Sequence, residues 1–380
     1  MRVIILVPSL PLKITEIKGG VHSALINLLF GFKSKDIQVR VLTFSKEIKS
    51  VQKTVYSSNI EIYYEPEGPL PFHSLNYLFK GPSILKKHIK SFNPDILHFQ
   101  TGNTLLFTTI MGLIGRKYIL TIHAFAYEEL KTKTSFKDRM TWRFNDFINK
   151  IMPTKNVIYI SLIAQNKHLS EKIDHYALIP NALTPVFFEL EIKKKTDNKL
   201  FYVGVFNNRK NIYYLLTILK KLIDNGKIFT LDAIGDFDDI SYKKLVMDYI
   251  EKNHLEKYVN FNGWVNQVTL LDYIKSSDIL VLTSYQETLP MVIAESMASG
   301  KVVVSSDVGG IPEMINDNGN GFLFNLNDKD KLYYILSDLH NNSALIEKVS
   351  NEARLTAASK YYCDNVAEKT LNFYNECIAN

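Results

Sequence analysis

Asp278-Ile279-Leu280-Val281-Leu282-Thr283-Ser284-Tyr285-Gln286-Glu287-Thr288-Leu289-Pro290-Met291-Val292-Ile293-Ala294-Glu295 decides the architecture of this chain. The apolar run 278–282 reads as a buried strand, and Pro290 as the first residue of a helix, where its missing N–H is no loss. Gly300 closes that helix before a second apolar strand, Val302-Val303-Val304. The unit is therefore strand, loop, helix and parallel strand. Glu287 lies on the loop and Glu295 inside the helix. Between them Leu289, Pro290, Met291 and Val292 bring the helix start, whose free N–H groups favour an anion. Two carboxylates flanking a phosphate site suit the hydroxyls of a nucleotide sugar.

The same alternation runs outward in both directions. In the first half, strands are expected at Val3–Val7, Val39–Thr43, Ile60–Tyr64, Ile96–Phe99, Tyr118–Ile122 and Val157–Ser161, with Ala177–Asn181 closing that half. The second half repeats the pattern at Leu200–Val203, Phe229–Ile234, Val259–Phe261, Ile279–Leu282 and Val302–Ser305. A lysine-rich polar stretch, Ile192 to Lys199, reads as a linker between them. The fold class is α/β, with two doubly wound parallel-sheet domains facing a central cleft.

Composition fits two cores of ordinary size: 380 residues, 46% hydrophobic and 22% charged. Cys363 and Cys377 are the only cysteines, so no metal or redox spacing exists and free thiols are expected. Met1–Pro8 is too short for a signal peptide, and the apolar stretch Leu105–Ile114 is far short of a membrane span. A cytoplasmic location is expected, with the inner face of the membrane as a docking place. Charge is lopsided. Residues 1–185 carry 24 Lys and Arg against 13 Asp and Glu, while the remainder carries 21 against 26. An anionic lipid or membrane surface is one partner that excess could serve. A solvated basic surface accounts for it equally well.

The stretch 284–295, continued through Gly309-Gly310-Ile311-Pro312-Glu313 and Asn320-Gly321-Phe322-Leu323, resembles the donor-binding core of glycosyltransferase family 4. These are retaining enzymes of GT-B architecture that use nucleotide-diphosphate sugars. The resemblance implies an acceptor-binding Rossmann-like domain over 1–186, a linker over 187–199 and a donor-binding domain over 200–360. It also implies a terminal helix over 361–380 that crosses back to the first domain. The implied function is sugar transfer to a glycan or lipid-linked acceptor in bacterial lipopolysaccharide or capsule synthesis. A UDP-sugar is the first choice of donor and a GDP-sugar the second. Two other readings stay open: a non-catalytic binding or chaperone subunit, and a sugar-nucleotide epimerase of the same architecture.

Site residues follow from that resemblance. Glu295 is implied to hold the ribose hydroxyls and Glu287 the transferred sugar. Gly204 opens the loop Gly204-Val205-Phe206-Asn207-Asn208-Arg209-Lys210, in which Lys210 takes the place of the family's diphosphate-gripping lysine. Val205 stands where the family has a clamp arginine, and Arg209 is the candidate to replace it, since a guanidinium pairs two phosphate oxygens at once. Trp264 and Val265 match the base-contacting turn, although a core role suits Trp264 as well. Gly19 and Gly20 match the N-terminal glycine loop, where two glycines let backbone approach a diphosphate closely. His123 ends a strand and is implied to orient the transferred sugar. His98 also ends a strand and reads as a satisfied core histidine.

Apart from Glu287, residues 284–295 offer no placed nucleophile, and the resemblance implies front-face transfer, in which the departing phosphate accepts the acceptor's proton and the cations steady its charge. Asp236-Phe237-Asp238 copies a manganese-binding Asp-x-Asp, but it follows Gly235 at a strand end and reads as a turn. No metal or other cofactor is expected. Lys131–Lys155 carries seven Lys and Arg with Phe136, Met140, Phe144, Phe147, Ile148 and Ile151 at helical spacing. That stripe fits a core-facing helix or one lying on an anionic bilayer. Nucleic acid is not an expected partner, because the basic residues are scattered and no recognition motif is present.

Overall fold

The computed structural model describes residues 1–13, 19–67, 73–100, 117–123, 140, 143, 155–167, 173, 175–192 and 197–379. It divides into two compact units: Met1–Ala182 with Cys363–Asn380, and Leu183–Tyr362. The basic stripe of 131–155 lies outside the described residues apart from Met140, Arg143 and Lys155, and so do the Leu105–Ile114 run and Lys193–Thr196 of the linker.

In the first unit an eight-stranded sheet has the order β3-β4-β2-β1-β5-β6-β7-β8. Its strands are β1 (Arg2–Ser9), β2 (Gln38–Ser45), β3 (Gln52–Ser57), β4 (Ile60–Pro66), β5 (Ile96–Phe99), β6 (Tyr118–Ile122), β7 (Asn156–Tyr159) and β8 (His175–Leu178). All neighbours run parallel except the edge pair β3 and β4. Val3, Ile4 and Ile5 of β1 have no exposed surface, as a parallel strand covered on both faces requires. Among the described residues up to Ala182 the helices are α1 (Gly20–Phe32), α2 (His73–Phe92) and α3 (Leu162–Lys167).

The second unit holds a six-stranded, wholly parallel sheet of order β11-β10-β9-β12-β13-β14. These are β9 (Lys199–Val203), β10 (Thr230–Ile234), β11 (Val259–Phe261), β12 (Ile279–Leu282), β13 (Val302–Ser306) and β14 (Phe322–Phe324). Its helices are α4 (Ile212–Asp224), α5 (Ile240–Lys252), α6 (Gln267–Ser276), α7 (Met291–Ala298), α8 (Lys331–Leu339) and α9 (Ser343–Tyr361). Lys301 is 2% exposed, and its Nζ donates to the carbonyls of Lys275 (3.2 Å) and Ser277 (2.8 Å). The ammonium thereby satisfies backbone acceptors at the end of α6, which is what makes so deep a lysine tolerable.

The chain leaves α9 through Tyr362, whose extended backbone breaks the helix, and enters α10 (Cys363–Ala379). That helix packs on α1, with Val366, Ala367, Phe373, Tyr374 and Cys377 buried. The contact is intimate. A methyl group on Gly31 of α1 would overlap the carbonyl oxygen of Cys363 and come within 2.9 Å of the Ala367 Cβ.

Candidate active site

The second sheet is wound in two directions from β9: the chain runs out to β10 and β11, then returns to place β12 on the other side. Ligands in such sheets bind beyond the carboxyl ends of the strands at the reversal, here β9 and β12. The two loops that leave those ends are 204–211 and 283–290, the stretches singled out by the sequence. Two hydrogen bonds lace them together, and a third steadies the 204–211 loop on β9. Tyr285 N donates to Arg209 O (2.8 Å), Thr283 Oγ1 to Asn211 O (2.8 Å), and Tyr202 Oη to Lys210 O (2.8 Å).

That lacing brings charges together. Lys210 Nζ lies 2.5 Å from Glu287 Oε1, and Ser284 Oγ donates to the same oxygen at 2.7 Å. The lysine and glutamate side chains are 15% and 7% exposed, so this is a largely desolvated pair. A methyl on Gly204 would stand 3.9 Å from Lys210 Cε, which places the lysine stem along the glycine. Arg209 Nη1 donates to Gln286 O at 3.2 Å, setting a guanidinium beside the Glu287 loop. Val205 carries no charge, and Arg209 is the cation that the fold puts next to Lys210.

Two glycines make the geometry possible. Gly235 follows β10 with φ +133°, and a Cβ there would overlap Gly204 O. Gly309, with φ +59°, sits so tightly under Glu287 that a Cβ would overlap the carbonyl oxygen of that glutamate. Gly309 is thus the floor of the Glu287 loop.

Helix α7 begins at Met291, one residue later than the sequence suggested. Pro290 is the extended residue just before it, with φ −68° and ψ 118°. Leu289, Met291 and Val292 are half-buried against the core. Gly300 closes the helix with φ +62°, as expected. Glu295, on the inner side of α7, is 9% exposed, and among the described residues its carboxyl has no hydrogen bond or ion pair. Burial pushes that carboxyl up to about 7.

Trp264 is 54% exposed beyond β11, which removes the core reading of it, whereas Val265 packs against the core. Asp236 Oδ1 accepts from Phe237 N (2.8 Å), Asp238 Oδ2 from Asn207 Nδ2 (3.0 Å), and Asp239 caps α5. Among the described residues no three acidic, histidine or cysteine side chains are grouped to hold a metal ion.

The remaining candidates belong to the first unit. Gly19, at φ +95°, precedes the α1 N-terminus that starts at Gly20. His123 follows β6, with Nε2 2.7 Å from Gln100 Oε1. His98 is buried on β5, with Nδ1 2.6 Å from Tyr374 Oη and Nε2 2.7 Å from Thr121 Oγ1. The sequence reading passed over Ser284 and Gln100. Each is a polar residue at or just past the carboxyl end of a buried strand, and that position was the available signal.

Family models agree with this geometry. The model "Glycosyltransferase Family 4" matches residues 18–184, and "Glycosyl transferases group 1" matches 184–356. The chain belongs to glycosyltransferase family 4. Among its relatives is a 41.2 kDa protein in the cps region of Klebsiella pneumoniae, 26% identical over 94% of this chain and 97% of that one. An Escherichia coli UDP-Gal:alpha-D-GlcNAc-diphosphoundecaprenol alpha-1,3-galactosyltransferase is 24% identical over 78% of this chain and 79% of its own. An uncharacterized glycosyltransferase of Methanocaldococcus jannaschii is 26% identical over 56% of this chain, and the match spans 59% of its length. The fold is GT-B. Anabaena HepE in complex with UDP-glucose superimposes with a TM-score of 0.74 at 16% identity, covering 99% of this chain and all of that one.

One consequence for this glycosyltransferase is a pH-dependent stability. Glu295 holds its proton more tightly folded than unfolded, so between the ordinary carboxylate range and pH 7 the unfolded chain binds fewer protons. Stability should therefore fall as pH rises through that window, by up to about 3 kcal/mol, and level off above it. Glu295→Gln should flatten the slope and exceed the parent in stability at pH 8. Denaturant midpoints measured from pH 4.5 to 8 decide this; parallel curves for the two proteins would refute it.

Proposed function

We propose that this protein is a metal-independent, retaining hexosyltransferase that moves a sugar from a UDP-sugar to a glycan or lipid-linked acceptor in surface polysaccharide synthesis. The observation that carries the reading is the Lys210–Glu287–Ser284 cluster at the winding reversal of the second sheet. An ammonium and a guanidinium beside a helix N-terminus suit a diphosphate, and a carboxylate beside them suits sugar hydroxyls. Lys210 and Arg209 steady the charge that grows on the departing diphosphate. Glu287 holds the transferred sugar. Glu295 accepts from the ribose diol, which favours its ionised form and releases its proton on binding. Gly204, Trp264 and Val265 complete the nucleotide site, with backbone from Leu289 to Val292. In the first unit Gly19 and Gly20 serve the diphosphate, and His123 serves a hydroxyl of the transferred sugar.

UDP leads as the nucleotide because of the galactosyltransferase relative and the UDP-glucose complex; a GDP-sugar is the second candidate. The diphosphoundecaprenol acceptor in that relative's name, and the cps region of another, support a lipid-linked acceptor. Such an acceptor would bring the protein to the cytoplasmic face of a membrane. No described helix is long and apolar enough to cross one. Two cations replace the divalent ion that other sugar transferases use for the same charge.

The test is transfer or slow hydrolysis of UDP- and GDP-sugars by the purified protein, with the anomeric form of the product read by NMR. Product should keep the donor's configuration, and the rate in excess EDTA should match the untreated rate. Loss of activity in EDTA with recovery in manganese would overturn metal independence. An inverted product would overturn retention, and no binding of any nucleotide sugar would overturn the whole reading.

A further inference from the structure

A chain of buried polar side chains links the C-terminal helix to His123, all of it within the first unit. Tyr374 Oη of α10 meets His98 Nδ1 at 2.6 Å, and His98 Nε2 faces both Thr121 Oγ1 (2.7 Å) and Gln100 Nε2 (3.3 Å). Gln100 Oε1 then meets His123 Nε2 at 2.7 Å. His98, Gln100 and Tyr374 are nearly or wholly buried. His98, Gln100, Thr121, His123, Asn181 and Thr370 help to line a cavity of about 30 Å3, room for a hydroxyl or a water molecule. His123 Nδ1 is buried and has no partner among the described residues.

The chemistry of the amide sets the direction of every proton in this chain. An amide oxygen can only accept and an amide NH2 can only donate. His123 Nε2 must therefore donate to Gln100, and His98 Nε2 must accept from it. That leaves His98 with its proton on Nδ1, donated to the tyrosine oxygen. Thr121 has a hydroxyl that adapts to either arrangement. Burial lowers the basicity of His98 to about 3 and of His123 to about 4, so both rings stay neutral, and their hydrogen bonds select the tautomer of each.

We propose that Gln100 is a positioning residue: it fixes His123 as the Nε2–H tautomer, so that Nδ1 is a lone-pair acceptor for one sugar hydroxyl. This rests on the assignment of His123 to the transferred sugar. The opposite tautomer would present an N–H, which the same hydroxyl could meet only by turning its O–H away and accepting. Through His98 and Tyr374 the setting is anchored to α10. Gln100 acts through His123. It decides which face of hydrogen bonding the histidine offers.

The test uses histidine-15N-labelled full-length protein and two-bond 1H–15N spectra, which separate the two imidazole tautomers. The His123 signals are assigned by their absence in His123→Gln. The parent should show His123 with its proton on Nε2 and His98 with its proton on Nδ1. Gln100→Met, which keeps the volume and removes the amide, should release His123 into a tautomer mixture. It should also lower kcat for sugar transfer about tenfold, the worth of one positioned hydrogen bond, with UDP affinity unchanged. A parent His123 protonated on Nδ1 would overturn the proposal, as would a Gln100→Met spectrum identical to the parent's or undiminished transfer. The parent spectrum requires no variant of Gln100 to fold. If the parent transfers no sugar at all, the functional reading fails while the tautomer result still decides what Gln100 does.

Discussion

Lys210→Met is expected to lower kcat/KM for the nucleotide sugar by about 100- to 1,000-fold, the usual cost of removing one group that stabilises developing charge. The loss has two sources. The diphosphate loses its nearest ammonium, and Glu287 is left with Ser284 alone in a site where its side chain is 7% exposed. A carboxylate no longer neutralised then faces the incoming phosphates. Stability should fall as well, by about 3 kcal/mol, because breaking a mostly buried pair strands the remaining charge. Lys210→Met/Glu287→Gln separates the effects: removing both charges should return the unfolding midpoint close to the parent's, while transfer stays lost. Steady-state kinetics and thermal unfolding of the three proteins check this. Transfer by Lys210→Met within threefold of the parent would remove Lys210 from the chemistry.

Gly309→Ala should be among the most damaging small substitutions in the second unit, with Gly235→Ala as its equal in overlap. Its φ of +59° is left-handed, which costs an alanine about 1–2 kcal/mol. The new methyl also overlaps the Glu287 carbonyl oxygen, and relieving such overpacking costs a further 1–3 kcal/mol or about that. The floor must drop or Glu287 must rise, so lost stability and lost transfer are expected together. Gly226→Ala is the control. That residue has φ +73° but nothing within 4 Å of its Cβ, so it should show the backbone strain alone and keep full activity. Equal effects of the two substitutions on transfer would mean that the Gly309 contact does not shape the site.

The parallel strands were readable because they are buried on both faces and need uninterrupted apolar runs, as in Ile279–Leu282 and Val302–Val304. β3 was not readable. Its Gln-Lys-Thr-Val-Tyr-Ser lies on a sheet edge with most residues exposed, and it carries no apolar period. β14, three residues long, is too short to stand out from the turn before it. Pro290 looked like the first helical residue because proline suits that position, yet it equally suits the extended residue before a helix. Charged candidates were found because their loops leave the ends of legible strands. Their partners were not, since Ser284 and Gln100 have meaning only once the fold sets them against Glu287 and His123.

The split at Ala182 and Cys363 has a consequence for how the molecule is made. As the nascent chain emerges from the ribosome, residues 183–362 arrive as one uninterrupted stretch and can close into their own core. The other half can gather its sheet core, which runs from Ile4 to Ala164, but stays unfinished on one side. Its α1 surface, including the notch at Gly31, waits uncovered for a helix that is synthesised after the entire intervening half. Completion of that half is therefore a late event.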